Sequence, residues 1–289
     1  MSQQLVMKAE LIVNDHCELA EGPLWNPDDN SLYWVDIHAG RIYRYDPSTG
    51  QRALVFAGDK VGGITLQDNG AFLLFMNHGG IRQLKDGILT SLIDEIPDER
   101  ETRFNDIIAD PAGRVLCGLM PTENRLGNLY RLDTGGQLTL LLTGIGCSNG
   151  LAFTNGNKQV YYTDSARKEI YLYDYDVRSG SMTNRRIFWK SETSIPDGLT
   201  IDADGCIWSA QWGGSSVIRL RPDGVEDGRI EIPGAQNVTS CIFGGDGLTD
   251  LYITTARQED EGSPNAGGIF HARPGVAGVP EYRSRIRVE

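Results

Sequence analysis

The chain has 289 residues and a formal net charge of −12 at pH 7, and its 27 basic residues are scattered rather than grouped. This balance argues against a nucleic-acid partner and against an anionic membrane surface. No run approaches the ~18 apolar residues of a spanning helix, and residues 1–14 lack a signal-peptide pattern, so we expect a cytoplasmic protein.

A short sequence motif, called the phrase, recurs six times along the chain. Its copies begin at Glu21, Gly62, Asn105, Asn149, Asp197 and Ser240. Successive copies lie 41 to 48 positions apart, which is the span of one four-stranded propeller blade. The spacing predicts an all-β, six-bladed β-propeller with four-stranded antiparallel blades. Six repeats use nearly the whole chain, so we expect residues 1–289 to form a single domain.

Each repeat follows the same order of strands and turns. In the first repeat, apolar alternation predicts strands over 22–26, 32–37 and 41–45, with turn residues between them. The sixth repeat offers only three strands of its own. We therefore expect the alternating segment 8–13 to supply its fourth strand and to close the ring, which removes an exposed sheet edge.

Five cysteines occur without any CxxC pair, and Cys117, Cys206 and Cys241 lie in apolar, strand-like runs. This usage indicates reduced and mostly buried thiols. A nucleophile at Cys147 is the functional alternative, but none of the four histidines lies in a recognisable partner motif.

Four of the six phrases begin with a carboxylate or an amide, namely Glu21, Asn105, Asn149 and Asp197. Equivalent positions of successive blades surround one axis, so these side chains should meet although they span 176 residues of sequence. Glu21, Asn149 and Asp197 would offer two charged oxygens and one neutral carbonyl to a divalent cation. Ligand hardness favours Ca²⁺, Mg²⁺ or Mn²⁺, while Zn²⁺ and Fe²⁺ also accept carboxylate oxygen, so the metal stays open.

A turn or capping role is the alternative for these positions, because Asn and Asp before Gly often supply turn geometry. It suits Glu21 poorly, since Glu is a weak turn residue and two carboxylates at one axis would repel each other without a cation. The second strand of each blade should return to the same opening. That geometry predicts a polar and aromatic rim that includes His38, Met120, Glu123 and Trp212.

The same residues, in this order, resemble the SMP-30/gluconolactonase/luciferin-regenerating (regucalcin-like) family. The resemblance rests on segments 19–25, 102–106, 148–151, 195–198, 239–245 and 266–270. It implies a six-bladed propeller with one divalent cation in its channel. By the same resemblance, the residues that hold this cation are Glu21, Asn149 and Asp197.

The resemblance also implies a reaction, the hydrolysis of an aldono-lactone of the glucono- or pentono-lactone class to the aldonic acid. Asp197 would be the general base, and Arg103, Asn105 and Glu123 would hold the hydroxyls of the sugar lactone. The loop 121–127 is shorter than in animal members of the family, which affects the placement of Glu123.

Other functions remain open at this stage. One is a calcium-binding regulatory propeller without catalysis, and another is an organophosphate or other ester hydrolase on the same scaffold. A protein-interaction propeller is less favoured, because it needs no oxygen cluster on its axis and the WD40 Gly-His and Trp-Asp signatures are absent from the sequence. The sequence leaves open which lactone is used and the oligomeric state.

Overall fold

The computed structural model describes residues 5–288, and its strands form six sheets. Two strands precede the first sheet, β1 (Leu5–Lys8) and β2 (Glu10–Val13). The first three sheets contain β3 (Ala20–Asn26), β4 (Ser31–Asp36), β5 (Arg41–Asp46), β6 (Gln51–Ala57), β7 (Val61–Leu66), β8 (Phe72–Met76), β9 (Ile81–Lys85), β10 (Ile88–Ile93), β11 (Phe104–Ala109), β12 (Val115–Leu119), β13 (Gly127–Leu132) and β14 (Leu138–Ile145).

The second half of the chain continues the pattern. Its strands are β15 (Ser148–Phe153), β16 (Gln159–Asp164), β17 (Glu169–Asp176), β18 (Ser181–Lys190), β19 (Ile195–Ile201), β20 (Ile207–Trp212), β21 (Ser216–Leu220), β22 (Glu226–Glu231), β23 (Asn237–Gly244), β24 (Asp250–Ala256) and β25 (Ile269–Ala272). Short 3₁₀ helices occur at Pro97–Glu99, Ser165–Arg167 and Asp246–Leu248. In the described part of the chain, no helix is long and apolar enough to cross a membrane.

The six sheets are the blades of a propeller. Within each of the first four blades, strands that follow one another in sequence pair antiparallel, so each of these blades is a local unit. The innermost strands are β3, β7, β11, β15, β19 and β23. Each packs against the innermost strand of the next blade, and β23 packs against β3, so the ring is closed. The predicted six-bladed propeller is confirmed.

The ring is closed by the N-terminal segment, as predicted. Strand β2 pairs antiparallel with β25, so that Leu11 lies opposite Phe270, and it completes the sixth blade. The segment 8–13, expected as one strand, is interrupted at Ala9, whose amide donates to the Glu231 carbonyl at 2.9 Å. Strand β1 then pairs parallel with β22 and becomes a fifth strand of the fifth blade. This addition covers one outer sheet edge.

The hydrophobic core lies mainly between neighbouring blades. Trp34 and Trp208 are fully buried, whereas Trp25 is only half-buried and stacks on Tyr252 with ring centroids 5.7 Å apart. Phe104 is also fully buried and meets Phe75 edge to face. Because Phe104 is next in sequence to Asn105, core packing anchors the strand that carries this polar side chain.

Every innermost strand carries one extra residue at the recurring phrase. In β3, Glu21 pairs with Val35 and Leu24 pairs with Tyr33. An advance of three residues along β3 therefore matches an advance of two residues along β4. Equivalent register shifts occur in β7, β11, β15, β19 and β23. A bulge of this kind bends the strand and redirects a side chain. The six bulges explain why side chains at the phrase starts leave the regular alternation of the sheet.

The glycines of the phrase allow the innermost strands to approach each other closely. A Cβ atom on Gly150 would lie 2.6 Å from the Asp197 carbonyl oxygen, and one on Gly198 would lie 2.9 Å from the Ser240 Cα. Both distances are shorter than real Cβ contacts allow. The narrow axis of the propeller therefore requires glycine after Asn149 and after Asp197.

The segment that follows β25 crosses the end of the channel away from the phrase starts. Its backbone bonds to residues near the ends of the innermost strands, in the pairs Ala203–Ala277, Leu248–Gly278, Leu66–Ser284 and Gly113–Arg285. The segment thus connects the second, third, fifth and sixth blades. As a result, the wide opening of the channel lies on the face where the phrases begin.

Candidate functional site

A cavity of about 430 Å³ opens on the face of the propeller where the innermost strands begin. Five of the six predicted site residues line it, namely Glu21, Arg103, Asn105, Asn149 and Asp197. They come from the first, third, fourth and fifth blades, so the convergence expected from the repeat is present. The predicted rim residues His38, Met120 and Trp212 also line the cavity.

Two buried carboxylates line this cavity. The side chains belong to Glu21 and Asp197, which are 6% and 5% exposed. Burial, followed by the charge of Asp106, raises the pKa of Glu21 to about 8. Burial, followed by the charge of Glu21, raises the pKa of Asp197 well above its ordinary value. Burial and the charges of neighbouring carboxylates therefore disfavour ionisation of both side chains.

The two carboxylates differ in their hydrogen bonds. Glu21 Oε2 accepts from the Gly22 amide at 3.0 Å. Asp197 Oδ1, in contrast, is buried and has no hydrogen-bond partner among residues 5–288. A buried polar atom without a partner is costly, and it is a feature expected where a ligand completes the site.

Two amides connect the third, fourth and fifth blades beneath the cavity. Asn105 Nδ2 donates to Asn149 Oδ1 at 2.7 Å and to the Ser148 carbonyl at 2.8 Å. Asn149 Nδ2 donates to Ser165 Oγ at 2.8 Å, and Ser165 Oγ donates to the Pro196 carbonyl at 2.6 Å. This chain of bonds fixes the orientation of Asn149. Its carbonyl oxygen accepts one hydrogen bond there and retains a second lone pair.

Arg103 is a positively charged side chain that contacts this network. Its Nη1 donates to Asn105 Oδ1 at 2.5 Å and to the Phe104 carbonyl at 2.9 Å. Burial lowers the pKa of Arg103, while Cys147, Glu21 and Asp197 act in the opposite direction. The guanidinium thus offsets part of the negative charge in the cavity and holds Asn105 in place.

The donor set fits a hard divalent cation. In the described range 5–288, no group of three or more His, Cys, Asp or Glu side chains is placed to hold a metal ion. Beside Glu21 and Asp197, the side-chain amide of Asn149 lines the same cavity and offers a neutral oxygen as a third ligand. Two buried carboxylates, one of which has an oxygen without a hydrogen-bond partner in the range 5–288, form a donor set that a divalent cation would complete.

Glu123 is not brought to the cavity. It is exposed on the loop 121–127 and does not line the space between the other predicted residues. Ser165, which orients Asn149, was not identified from the sequence, although the rim position of its neighbour Asp164 at the end of β16 was the available signal. The apolar wall formed by Leu19 and Ile195 gave no signal beyond ordinary strand hydrophobicity.

The cysteines agree with the sequence-based expectation of reduced thiols. All five are free, and Cys17, Cys117, Cys206 and Cys241 are buried. Cys147 lines the cavity, but burial, followed by the charge of Asp197, raises the pKa of its thiol to about 12. Because the thiolate is the nucleophile, these surroundings disfavour the alternative of cysteine catalysis.

The chain is similar to known proteins in both sequence and structure. The family model for the SMP-30/Gluconolactonase/LRE-like region matches residues 19–257. Pentonolactonase XacC of Haloferax volcanii is 40% identical over 301 residues, covering 98% of this chain and 100% of the relative. Regucalcin of Gallus gallus is 32% identical, covering 96% of this chain and 98% of the relative. A solved luciferin-regenerating enzyme superposes with a TM-score of 0.89 at 27% identity, covering 96% and 99% of the two chains.

Proposed function

The chain belongs to the SMP-30/gluconolactonase/LRE-like family, and from this we propose that its channel cavity hydrolyses a sugar lactone. The substrate class is an aldono-lactone, of the pentono- or glucono-lactone type, and the product is the aldonic acid. One observation carries the proposal: five polar side chains from four blades line one cavity in a chain 40% identical to a pentonolactonase.

The proposed reaction depends on one divalent cation, which Glu21, Asn149 and Asp197 would hold. The chemistry supplied by such a cation is polarisation of the lactone carbonyl and stabilisation of the charge that develops on its oxygen. The oxygen donors suit Ca²⁺, Mg²⁺ and Mn²⁺ by hardness, and Zn²⁺ and Fe²⁺ are included in the test below.

Asp197 is assigned as the general base. Its Oδ1 has no protein partner in the described part of the chain, so the Asp197 carboxylate is open to both the cation and the attacking water. With the cation bound the carboxylate would be ionised and could accept a proton from that water. Burial places this transfer away from bulk solvent. The cavity needs no covalent nucleophile for this chemistry, because water adds directly to the ester carbonyl.

Arg103 and Asn105 are assigned to substrate positioning. Arg103 uses Nη1 for its contacts with Phe104 and Asn105, which leaves Nε and Nη2 for the hydroxyls of the lactone. Both Asn105 Nδ2 hydrogens are engaged, one of them with Asn149 Oδ1. Asn105 therefore acts first on the orientation of Asn149.

Glu123 would contact a substrate hydroxyl only if its loop changes conformation. It lies on the exposed loop 121–127 and does not line the cavity. Its contact with a hydroxyl would require that loop to move towards the cavity when the lactone binds. Trp212 and Met120 already line the cavity and offer apolar contact to the C–H groups of the sugar ring.

The experiment is a hydrolysis assay at constant pH on a panel of aldono-lactones. Protein stripped with a chelator is compared before and after addition of each candidate metal, with an organophosphate ester included as a competing substrate class. The proposal expects hydrolysis of one or more lactones that disappears on stripping and returns with a divalent metal. Cation binding without any turnover would favour the regulatory propeller, and turnover of the organophosphate alone would favour the other hydrolase.

A further inference from the structure

A fully buried carboxylate lies outside the cavity, in the connection that leads to Arg103. Glu99 ends the 3₁₀ helix Pro97–Glu99, and its side chain has no solvent exposure. It accepts hydrogen bonds from Asn128 Nδ2 at 2.7 Å and from the Tyr130 hydroxyl at 2.9 Å. Burial and the neighbouring Glu99 carboxylate raise the pKa of Tyr130 to about 12, so this hydroxyl keeps its proton and remains a donor.

The counter-ion of Glu99 is Arg125. Both terminal nitrogens of Arg125 donate to the Glu99 carboxylate, and Nη2 also donates to the Asp98 carbonyl at 2.7 Å. Arg125 belongs to the loop 121–127, and its own carbonyl accepts from the Thr122 amide at 2.8 Å. A single ion pair therefore ties this loop to the 3₁₀ helix of the preceding connection.

Both tied segments end at the cavity. Thr102 Oγ1 donates to the Met120 carbonyl at 2.8 Å, and the Met120 amide donates to the Arg103 carbonyl at 3.0 Å. Arg103 and Met120 line the cavity, while Glu123 lies in the loop that Arg125 holds. The ion pair thus lies behind the two segments that present these side chains.

A buried ion pair is weak evidence for added stability, because apolar residues of the same volume often serve equally well. Its stronger effect is on geometry, since the fully buried Glu99 carboxylate is costly without a partner. The partly exposed Arg125 must reach that carboxylate, which holds the two segments in one arrangement. Asp110 and Arg114 form a second ion pair with a buried carboxylate, with Nε to Oδ2 at 2.6 Å, and in this pair the arginine is buried as well. Neither of these two residues lines the cavity.

We propose that Glu99 and Arg125 are positioning residues that hold Arg103 and the loop 121–127 in the arrangement that recognises the hydroxyls of the lactone. This inference rests on the proposed function. Breaking the pair should loosen the loop and weaken substrate binding, while Glu21, Asn149 and Asp197 keep their own contacts. The pair consequently governs KM and the preference among lactones more than the chemical step.

The test compares Glu99→Gln, Arg125→Gln and the double variant with Asp110→Asn as a matched control. Each protein is assayed for kcat and KM on the lactone panel, for Tm, and for hydrogen–deuterium exchange of residues 97–103 and 120–127. The single variants should raise KM by about tenfold with kcat changed less than about twofold. Hydrogen–deuterium exchange in 120–127 should increase in the single variants. The double variant should have a KM no higher and a Tm no lower than the single variants, because no charge is left unpaired. Asp110→Asn should lower Tm without changing KM.

Unchanged KM in both single variants, with a loss of Tm like that of the control, would overturn the proposal. Equal losses in kcat and kcat/KM would also contradict it, because they would place the pair in the chemical step. Arg125 is partly exposed, so Arg125→Gln provides a folded variant if Glu99→Gln does not accumulate. If the wild type hydrolyses no lactone, the proposed function fails, and the hydrogen–deuterium exchange of the variants alone tests the positioning role. Exchange in 120–127 that matches the wild type rejects the role of Glu99 and Arg125 in holding the loop, and faster exchange supports it.

Discussion

The free energy of unfolding of the metal-free protein is expected to fall as the pH rises from about 5.5 to 8.5, because Glu21 loses a proton in this range. Burial raises the pKa of Glu21 from 4.5 to about 8. In this window the folded state keeps a proton that the unfolded state has already released. An acid with a raised pKa therefore contributes stability that is present at low pH and lost as the pH rises through the folded-state pKa.

The magnitude follows from the width of the window. One pKa unit corresponds to about 1.4 kcal/mol, and the interval from about pH 5.5 to the folded-state pKa covers about 2.5 units. Glu21 should therefore contribute a loss on the order of 3 kcal/mol in the free energy of unfolding. The charge of Glu21 also raises the pKa of Asp197, so their mutual repulsion adds to the loss with the same sign.

The matched variant is Glu21→Gln, which keeps the shape of the side chain but does not titrate. Urea unfolding in the presence of a chelator should show the variant becoming more stable relative to the wild type as the pH rises. The difference in unfolding free energy between the two proteins should increase by about 3 kcal/mol between about pH 5.5 and 8.5. The difference between the two proteins removes the contributions of groups that titrate equally in both.

Addition of a divalent cation at the higher pH should offset most of this increase. The wild type gains binding free energy, about 2.7 kcal/mol at a ligand concentration of 100 Kd, and the variant lacks one of the ligands. A difference between wild type and Glu21→Gln that is the same at both pH values in chelator would refute the reasoning from burial and charge.

Three further perturbations test the site and its support. Asp197→Asn should lower kcat by roughly 10²–10⁴-fold while the protein still unfolds cooperatively, because the proton acceptor is lost; turnover near the wild-type rate would remove Asp197 as the base. Gly150→Ala should lower both Tm and cation affinity, because its Cβ would lie 2.6 Å from the Asp197 carbonyl oxygen, whereas Gly156→Ala, with no atom within 4 Å of its Cβ, should change neither. Phe104→Ala should cost about 3–5 kcal/mol of unfolding free energy in urea, since a fully buried ring is removed; a loss below about 1 kcal/mol would contradict this packing role.

The architecture was predictable because a propeller blade is made of strands that are neighbours in sequence. The spacing of the phrases determined the number of blades, and the three strands of the sixth repeat indicated that the N-terminal segment had to complete it. Strand β1 was not predictable in the same way. It pairs in parallel with β22, so that Leu5 lies opposite Gly228, and short-range turn signals carry no information about such a distant partner.

The convergence of Glu21, Asn149 and Asp197 on one cavity also followed from the repeat, because equivalent blade positions share an axis. Their roles as metal ligands and base remain predictions. The loop with Glu123 could not be placed, since its course depends on the contact between Arg125 and Glu99. These two residues lie 26 positions apart and belong to no recurring motif, so only the three-dimensional structure reveals them as a pair.

The central claim is that one divalent cation, held by Glu21, Asn149 and Asp197, is required for lactone hydrolysis. Its most direct test measures bound cation per chain and pentonolactone turnover together, on stripped wild type, on reloaded wild type and on Glu21→Gln. We predict one cation per chain, turnover that rises in proportion to occupancy, and loss of both in the variant. Full turnover by stripped protein, or undiminished cation binding by Glu21→Gln, would contradict the claim.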